Sequence, residues 1–172
     1  DNIRDGIFID LLMPVNQILQ LLIENGHNVV NIYLPSSGLT EMDKTAVGQL
    51  VDSLNSSGVK TFMTHFAGLY TPHLETGSKD LDRVKAMVVD TAVWIKSLGN
   101  AVAGVSLGNE NEFYVRGASA IYFEGSKVDL GVEEYYAFMN ELAALYREAD
   151  PGHPVFLGVG EAFDENYPNN SS

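Results

Sequence analysis

Apolar residues along this chain fall into short runs separated by longer segments with a helical spacing. The short runs are rich in β-branched and aromatic residues and are bounded by Gly, Pro or Asn, which is typical of buried strands. We therefore predict five strands, at residues 6–10, 28–34, 59–65, 101–107 and 154–159.

Between these runs, apolar residues recur every three or four positions, as they do on one face of a helix. The first helix is predicted to end at Gly26, and Thr40 followed by Asp43 predicts an N-cap pair for the second. The third helix is expected near residues 80–98 and the fourth over residues 132–149. The chain is thus predicted to alternate strand and helix.

Strands that alternate with helices need crossover connections and therefore form a parallel sheet, either an open doubly wound sheet or a barrel. The dinucleotide-binding open sheet carries G-x-G-x-x-G after its first strand, and this sequence has no such motif. Together with the strand-end motif described below, this favours one α/β domain over residues 1–172, a partial TIM (β/α)8 barrel of about five parallel strands. Since five strands cannot close that barrel, their open edges would pair with the remaining barrel half or with another copy of the chain.

Composition restricts the partners. Ten Lys and Arg residues against 23 Asp and Glu residues give a net charge of −13. Such a field repels a phosphate backbone, which argues against nucleic acid, whereas it does not penalise a neutral sugar. Cys is absent, and no apolar run approaches the roughly 20 residues of a membrane helix. Asn-x-Ser sequons slightly favour an extracytoplasmic or secreted location; they begin at Asn55, Asn169 and Asn170.

Polar side chains collect at the carboxyl ends of the predicted strands, where βα barrels carry their reacting groups. The clearest case is VSLGNE, in which an apolar strand runs through Gly108 into Asn109 and Glu110. A carboxylic acid that is partly desolvated at a barrel mouth can keep its proton near neutral pH and act as a general acid. Glu110 is therefore the candidate catalytic residue, and Asn109 is a candidate for holding a substrate hydroxyl. His65 and Glu161, at two other strand ends, are further candidates for substrate binding.

The segment AGVSLGNENEFY resembles the fourth-strand signature of the retaining (β/α)8 glycoside hydrolase clan, which includes β-galactosidases, β-glucuronidases, cellulases and β-glucanosyltransferases. GHNVVNIY is similar to the clan's second strand, and READPGHPV is similar to the junction before its fifth strand. The resemblance implies that Glu110 is the acid/base of a retaining glycosidase and that Asn109 binds the sugar 2-hydroxyl. It also implies a β-linked carbohydrate substrate and no cofactor or metal.

Two features depart from the clan's pattern. Asn31 stands where many members have Arg, a cation that often orients the nucleophile. The clan's nucleophilic Glu lies on strand seven, beyond the five strands predicted here, and Glu161 does not match its position. A retaining enzyme needs a second carboxylate about 5–5.5 Å from the first. Alone, this chain is therefore not expected to complete the double displacement.

Three hypotheses follow. In the first, the chain is the N-terminal half of a glycosidase catalytic domain. In the second, it is a non-catalytic barrel-derived domain that binds carbohydrate or takes part in assembly; the missing nucleophile and Asn31 favour this alternative. In the third, a hard divalent cation is bound by residues at the strand ends, although no His-x-His or His-Glu-x-x-His spacing supports it. Its ligands would be Asp10, His65, Glu110 and Glu161.

Overall fold

The computed structural model describes residues 15–35, 38–65, 81–108 and 132–157, and the predicted strand at 6–10 lies outside them. Helices and strands alternate throughout these ranges. The helices are α1 (Val15–Glu24), α2 (Glu41–Ser56), α3 (Leu81–Leu98) and α4 (Val132–Ala149). The strands are β1 (Val29–Leu34), β2 (Lys60–His65), β3 (Val102–Leu107) and β4 (Val155–Leu157), and a 3-10 turn (Gly99–Ala101) precedes β3.

The four strands form one parallel sheet in the order β1-β2-β3-β4, so each strand lies beside the next one along the chain. The described helices all pack on the same side of it, which we call the helix face. In the main core, helix-face side chains of the strands, such as Met63 and Leu107, pack against α3 and α4. Leu22 of α1 and Leu54 of α2 pack with Val30 of β1.

This one-sided arrangement separates the two architectures that the sequence allowed. A doubly wound sheet reverses its strand order and carries helices on both faces, whereas a (β/α) barrel adds each strand beside the last and keeps its helices outside. The sequential order and the single helical layer are those of a barrel segment. The prediction of a partial TIM barrel is therefore confirmed.

The opposite side of the sheet, which we call the open face, carries exposed apolar side chains. Val29, Tyr33 and Phe156 are 43%, 50% and 52% exposed. The rings of Phe62 and Phe156 approach to 5.8 Å between centroids across Gly104, where a Cβ atom would lie within 3.2–3.3 Å of both rings. Because the inside of a βα barrel is a packed core, an apolar open face is expected of a barrel segment.

Local sequence signals account for several element boundaries. Thr40 caps α2: its Oγ1 accepts from the Asp43 N–H at 3.1 Å, and Asp43 Oδ2 accepts from the Thr40 N–H at 2.8 Å. This capping box confirms the predicted N-cap pair. The turn after α1 includes Gly26 in the left-handed region, with φ 71°. Within the described ranges, no helix is long and apolar enough to cross a bilayer.

Candidate functional site

The carboxyl ends of β1, β2 and β3 lie side by side, because the sheet register pairs Leu34 with His65 and His65 with Leu107. The rim on which the sequence places its candidate residues is therefore present for these strands. Of those candidates, only His65 belongs to the described residues; the others lie outside them. They are Asp10, Asn109, Glu110 and Glu161.

The backbone at the end of β3 is held by two hydrogen bonds. The Gly108 N–H donates to the carbonyl oxygen of His65 at 2.7 Å, and the Ser106 hydroxyl donates to the carbonyl oxygen of Gly108 at 2.9 Å. Gly108 has φ 79°, a left-handed conformation that glycine adopts without the steric cost paid by other residues. These contacts position the chain at the residue immediately before Asn109 and Glu110.

Because Gly108 is left-handed, Gly108→Ala is expected to lower the free energy of unfolding by about 1–2 kcal/mol. Gly48→Ala is the matched control: Gly48 lies inside α2, and a Cβ there would meet only Leu98 Cδ2, at 3.9 Å. Alanine in such a helical position should raise stability by about 0.5–1 kcal/mol. Urea denaturation of both variants measures the two effects, and equal signs would contradict the assigned backbone at Gly108.

A row of four side chains crosses the open face just below the rim. The register aligns Tyr33 with Thr64, Thr64 with Ser106, and Ser106 with Phe156, so two hydroxyls lie between two aromatic rings. One step below, Asn31 Oδ1 accepts a hydrogen bond from the Thr64 hydroxyl at 3.1 Å. None of these side chains carries a charge, and Thr64 is only 3% exposed. This row therefore suits a neutral ligand better than an ionic one, with Tyr33 and Ser106 as its more accessible polar groups.

Sequence analysis did not identify Thr64 and Ser106 as site residues. The available signal was strand periodicity, since side chains two apart on a strand point to the same face. Thr64 shares a face with Phe62, and Ser106 shares one with Gly104. Ser106 interrupts the otherwise apolar strand β3 near its carboxyl end, and Thr64 lies at the paired position of β2.

His65 ends β2 as predicted, but its side chain lies on the helix face. It is fully buried, and its Nε2 is 3.4 Å from the Thr91 hydroxyl of α3, while its Nδ1 has no hydrogen-bond partner among the described residues. Burial lowers the pKa of His65 from 6.5 to about 4, against a smaller opposing effect of the Asp90 carboxylate. The ring is therefore neutral near pH 7 and packs in the core beneath α3. This geometry gives no support to the predicted substrate contact.

The described part of the chain gives no support to the hypothesis of a bound divalent cation. Within those ranges, no three His, Asp or Glu side chains come together in a way that could hold a cation. Three of the four ligands proposed from the sequence, Asp10, Glu110 and Glu161, lie outside them. Their grouping remains a prediction from strand order.

No family model and no curated protein matches this sequence. Solved structures with a similar fold include GH5 glycoside hydrolases. A GH5_18 protein from Bifidobacterium longum subsp. infantis aligns over 90% of this chain with TM-score 0.65 and 14% identity. An endo-1,4-beta-mannanase from Eisenia fetida aligns over 89% with TM-score 0.64 and 19% identity. A GH5_18 protein from Streptomyces cattleya, solved in complex with GlcNAc, aligns over 86% with TM-score 0.67 and 12% identity.

The alignments account for 40%, 54% and 39% of those three proteins, so this chain spans about half of their length or less. At such low identity the likeness establishes the fold, and the fold is that of GH5 β/α-barrel glycoside hydrolases. The resemblance seen in the sequence is confirmed at that level. Catalytic residues, substrate and activity do not follow from the fold alone.

Proposed function

We propose that this chain supplies the acid/base half of a retaining glycosidase that acts on a β-linked glycan. The observation that carries the proposal is the end of β3, where two hydrogen bonds hold the backbone at Gly108 on the carboxyl edge of a barrel segment. Asn109 and Glu110 are the next two residues in the sequence. In βα barrels, catalytic groups occupy this edge. Two structural neighbours were solved with the disaccharide Manb1-4GlcNAc, which supports a β-linked substrate.

In this mechanism Glu110 carries the acid/base chemistry. It gives its proton to the glycosidic oxygen as the bond to the anomeric carbon breaks, while a second carboxylate attacks that carbon and forms a glycosyl ester. The ionised Glu110 then removes a proton from a water molecule, which displaces the ester and restores both carboxyl groups. Asn109 would hold the sugar 2-hydroxyl. The nucleophile would come from residues beyond β4, because the clan places it on strand seven.

The open face supports a neutral substrate. Tyr33 offers an exposed ring that can stack on a sugar face, and the Thr64 and Ser106 hydroxyls lie beside it in the same row. Asn31, bound to Thr64, places an amide where the clan often has a cation. We expect substrate orientation on this side to rely on neutral hydrogen bonds.

A second candidate function is a non-catalytic carbohydrate-binding or assembly domain. It is favoured by Asn31, an amide where many members of the clan have the Arg that orients the nucleophile. Both candidate functions would use the same side chains to bind a sugar, and only the first would hydrolyse it.

The test uses the longest natural polypeptide that contains these residues. Release of reducing ends from β-1,4-linked manno- and gluco-oligosaccharides is measured, and the first-formed anomer is identified by proton NMR. Hydrolysis with retention of the β-configuration is the expected result. Binding of the same oligosaccharides without hydrolysis would replace the first candidate by the second, and an inverted product or absence of both binding and hydrolysis would exclude the proposal.

A further inference from the structure

His153 lies in the turn between α4 and β4, and both nitrogens of its ring have a close polar neighbour. Nδ1 is 2.6 Å from Oδ2 of Asp150, and Nε2 is 2.9 Å from the carbonyl oxygen of Gly99. Gly99 belongs to the 3-10 turn that precedes β3. The ring thereby joins the two turns that lead into β3 and β4. These turns are at the amino end of the sheet, opposite the candidate site.

The Gly99 carbonyl has no proton to give, so Nε2 must carry one to make its contact. The Asp150 carboxyl is fully buried and already accepts the Tyr146 hydroxyl at 3.1 Å and the Gly152 N–H at 3.2 Å. Burial, followed by the negative charge of Asp150 and its hydrogen bond, raises the pKa of Tyr146 above its usual range, so the phenol remains a donor. Asp150 is thus surrounded by donors, and Nδ1 joins them only when it is protonated as well.

We propose that His153 is a pH-sensitive clamp, in which the doubly protonated ring holds both turns and loss of one ring proton breaks one of its two contacts. A neutral imidazole has one N–H and one lone pair, so it can donate to Gly99 or to Asp150 but not to both. The inference is independent of the proposed function.

The described groups around the ring are consistent with this assignment. On the α4 side, the titratable groups next to the ring are the Asp150 carboxyl and the Tyr146 phenol that donates to it. On the side of the 3-10 turn, only the Gly99 carbonyl contacts the ring, and the ammonium group of Lys60 from β2 donates to the neighbouring carbonyl of Asn100. Lys96, in the last turn of α3, is exposed, and the β4 segment 154–157 has no titratable side chain.

The test compares the full 172-residue chain with His153→Gln, which keeps one amide donor and does not titrate. Urea unfolding at pH 5.5 and pH 9 gives the folding equilibrium constant of each protein. We expect the advantage of the unaltered chain over H153Q to shrink by roughly ten-fold from pH 5.5 to pH 9, about the worth of one charge-assisted hydrogen bond. Effects of His65 cancel because both proteins retain it. An advantage that is equal at the two pH values, or larger at pH 9, would overturn the clamp.

Should H153Q fail to fold, the unaltered chain still decides the matter. Nitrogen-15 NMR of the His153 ring, assigned through its own backbone, distinguishes protonated from unprotonated nitrogens. Two N–H groups at pH 5.5 and one at pH 9 are expected. A ring with an unprotonated nitrogen at both pH values would overturn the proposal, and so would a ring that keeps two N–H groups at both.

Discussion

Replacing Glu110 by Gln should reduce kcat on β-linked oligosaccharides by about 10²–10⁴-fold, the usual worth of a positioned general acid. The measurement needs an active polypeptide that contains these residues and supplies the second carboxylate. The amide cannot protonate the departing sugar, whose alkoxide is a poor leaving group. An activated aryl glycoside leaves without that proton, so its glycosylation step should be far less affected. The diagnostic result is therefore a difference between the two substrate types.

Glu112→Gln is the matched control, because it removes a carboxylate two residues along the same segment, NENE. We expect it to leave the rates on both substrates within a few-fold of the unaltered enzyme. Two results would remove Glu110 from the acid/base role: unchanged activity of the E110Q enzyme on oligosaccharides, or an equal loss of kcat/KM, which reports the glycosylation step, on both substrate types. An equal loss would point instead to misfolding or to a binding defect, and circular dichroism of the variant separates these two.

The features of this fold that depend on local sequence were predicted well. The limits of α4 are those expected from its periodicity, and the strands β1, β2 and β3 each begin one residue after the predicted start. The N-cap of α2 followed from Thr40 and Asp43 because both partners of a capping box lie within one turn. Helical spacing also identified the buried side of α3, including Val88 and Ile95.

The direction of the His65 side chain was not predictable in the same way. In a strand with one polar face, alternation shows which residues are inside. β2 offers no such contrast, because each face mixes apolar and polar side chains. Met63 lies with Thr61 and His65 on the helix face, and Phe62 lies with Lys60 and Thr64 on the open face. Alternation then tells that His65 shares a face with Met63 but not which face meets the helices. His65 ends β2 as predicted, whereas its contact with substrate stays a prediction that strand alternation could not decide.

Contacts between residues far apart in the sequence could not be predicted either. The ring of His153 reaches Gly99, 54 residues earlier, and no periodicity or motif relates the two. The same holds for the Thr64–Asn31 hydrogen bond, which joins neighbouring strands across 33 residues. Both become apparent only once the register of the sheet is known.

The two ends of the sheet carry different kinds of polar group. At the carboxyl end, Thr64 and Ser106 are neutral hydroxyls on the open face, and the chain continues into the Asn-Glu pair. At the amino end, the part-buried His153 and the buried Asp150 form a cluster that links two turns. In βα barrels the carboxyl end serves chemistry and the amino end serves stability. Substitutions at the carboxyl end should therefore change activity more than stability, and substitutions at the amino end should change stability more than activity.

Acid should destabilise this chain through His65, whose folded-state pKa of about 4 lies below the 6.5 of an exposed histidine. The unfolded chain takes up a proton at position 65 as the pH falls below about 6.5, while the folded chain resists it until about pH 4. The stability contributed by the neutral ring is thus fully present above pH 6.5 and is lost between pH 6.5 and 4. A difference of this size corresponds to roughly 3 kcal/mol.

His65→Leu replaces the titrating ring by an apolar side chain of similar size at the same position in the core. Its unfolding free energy should be nearly flat from pH 6.5 to 4 relative to the unaltered chain, and the two proteins should differ by less than about 1.5 kcal/mol at pH 7. His27→Gln, in the turn before β1, is the control and should keep the acid sensitivity of the unaltered chain. If the unaltered chain and H65L lose stability in parallel on acidification, the His65 ring is protonated from solvent in the folded state, and its assignment to the core beneath α3 is wrong.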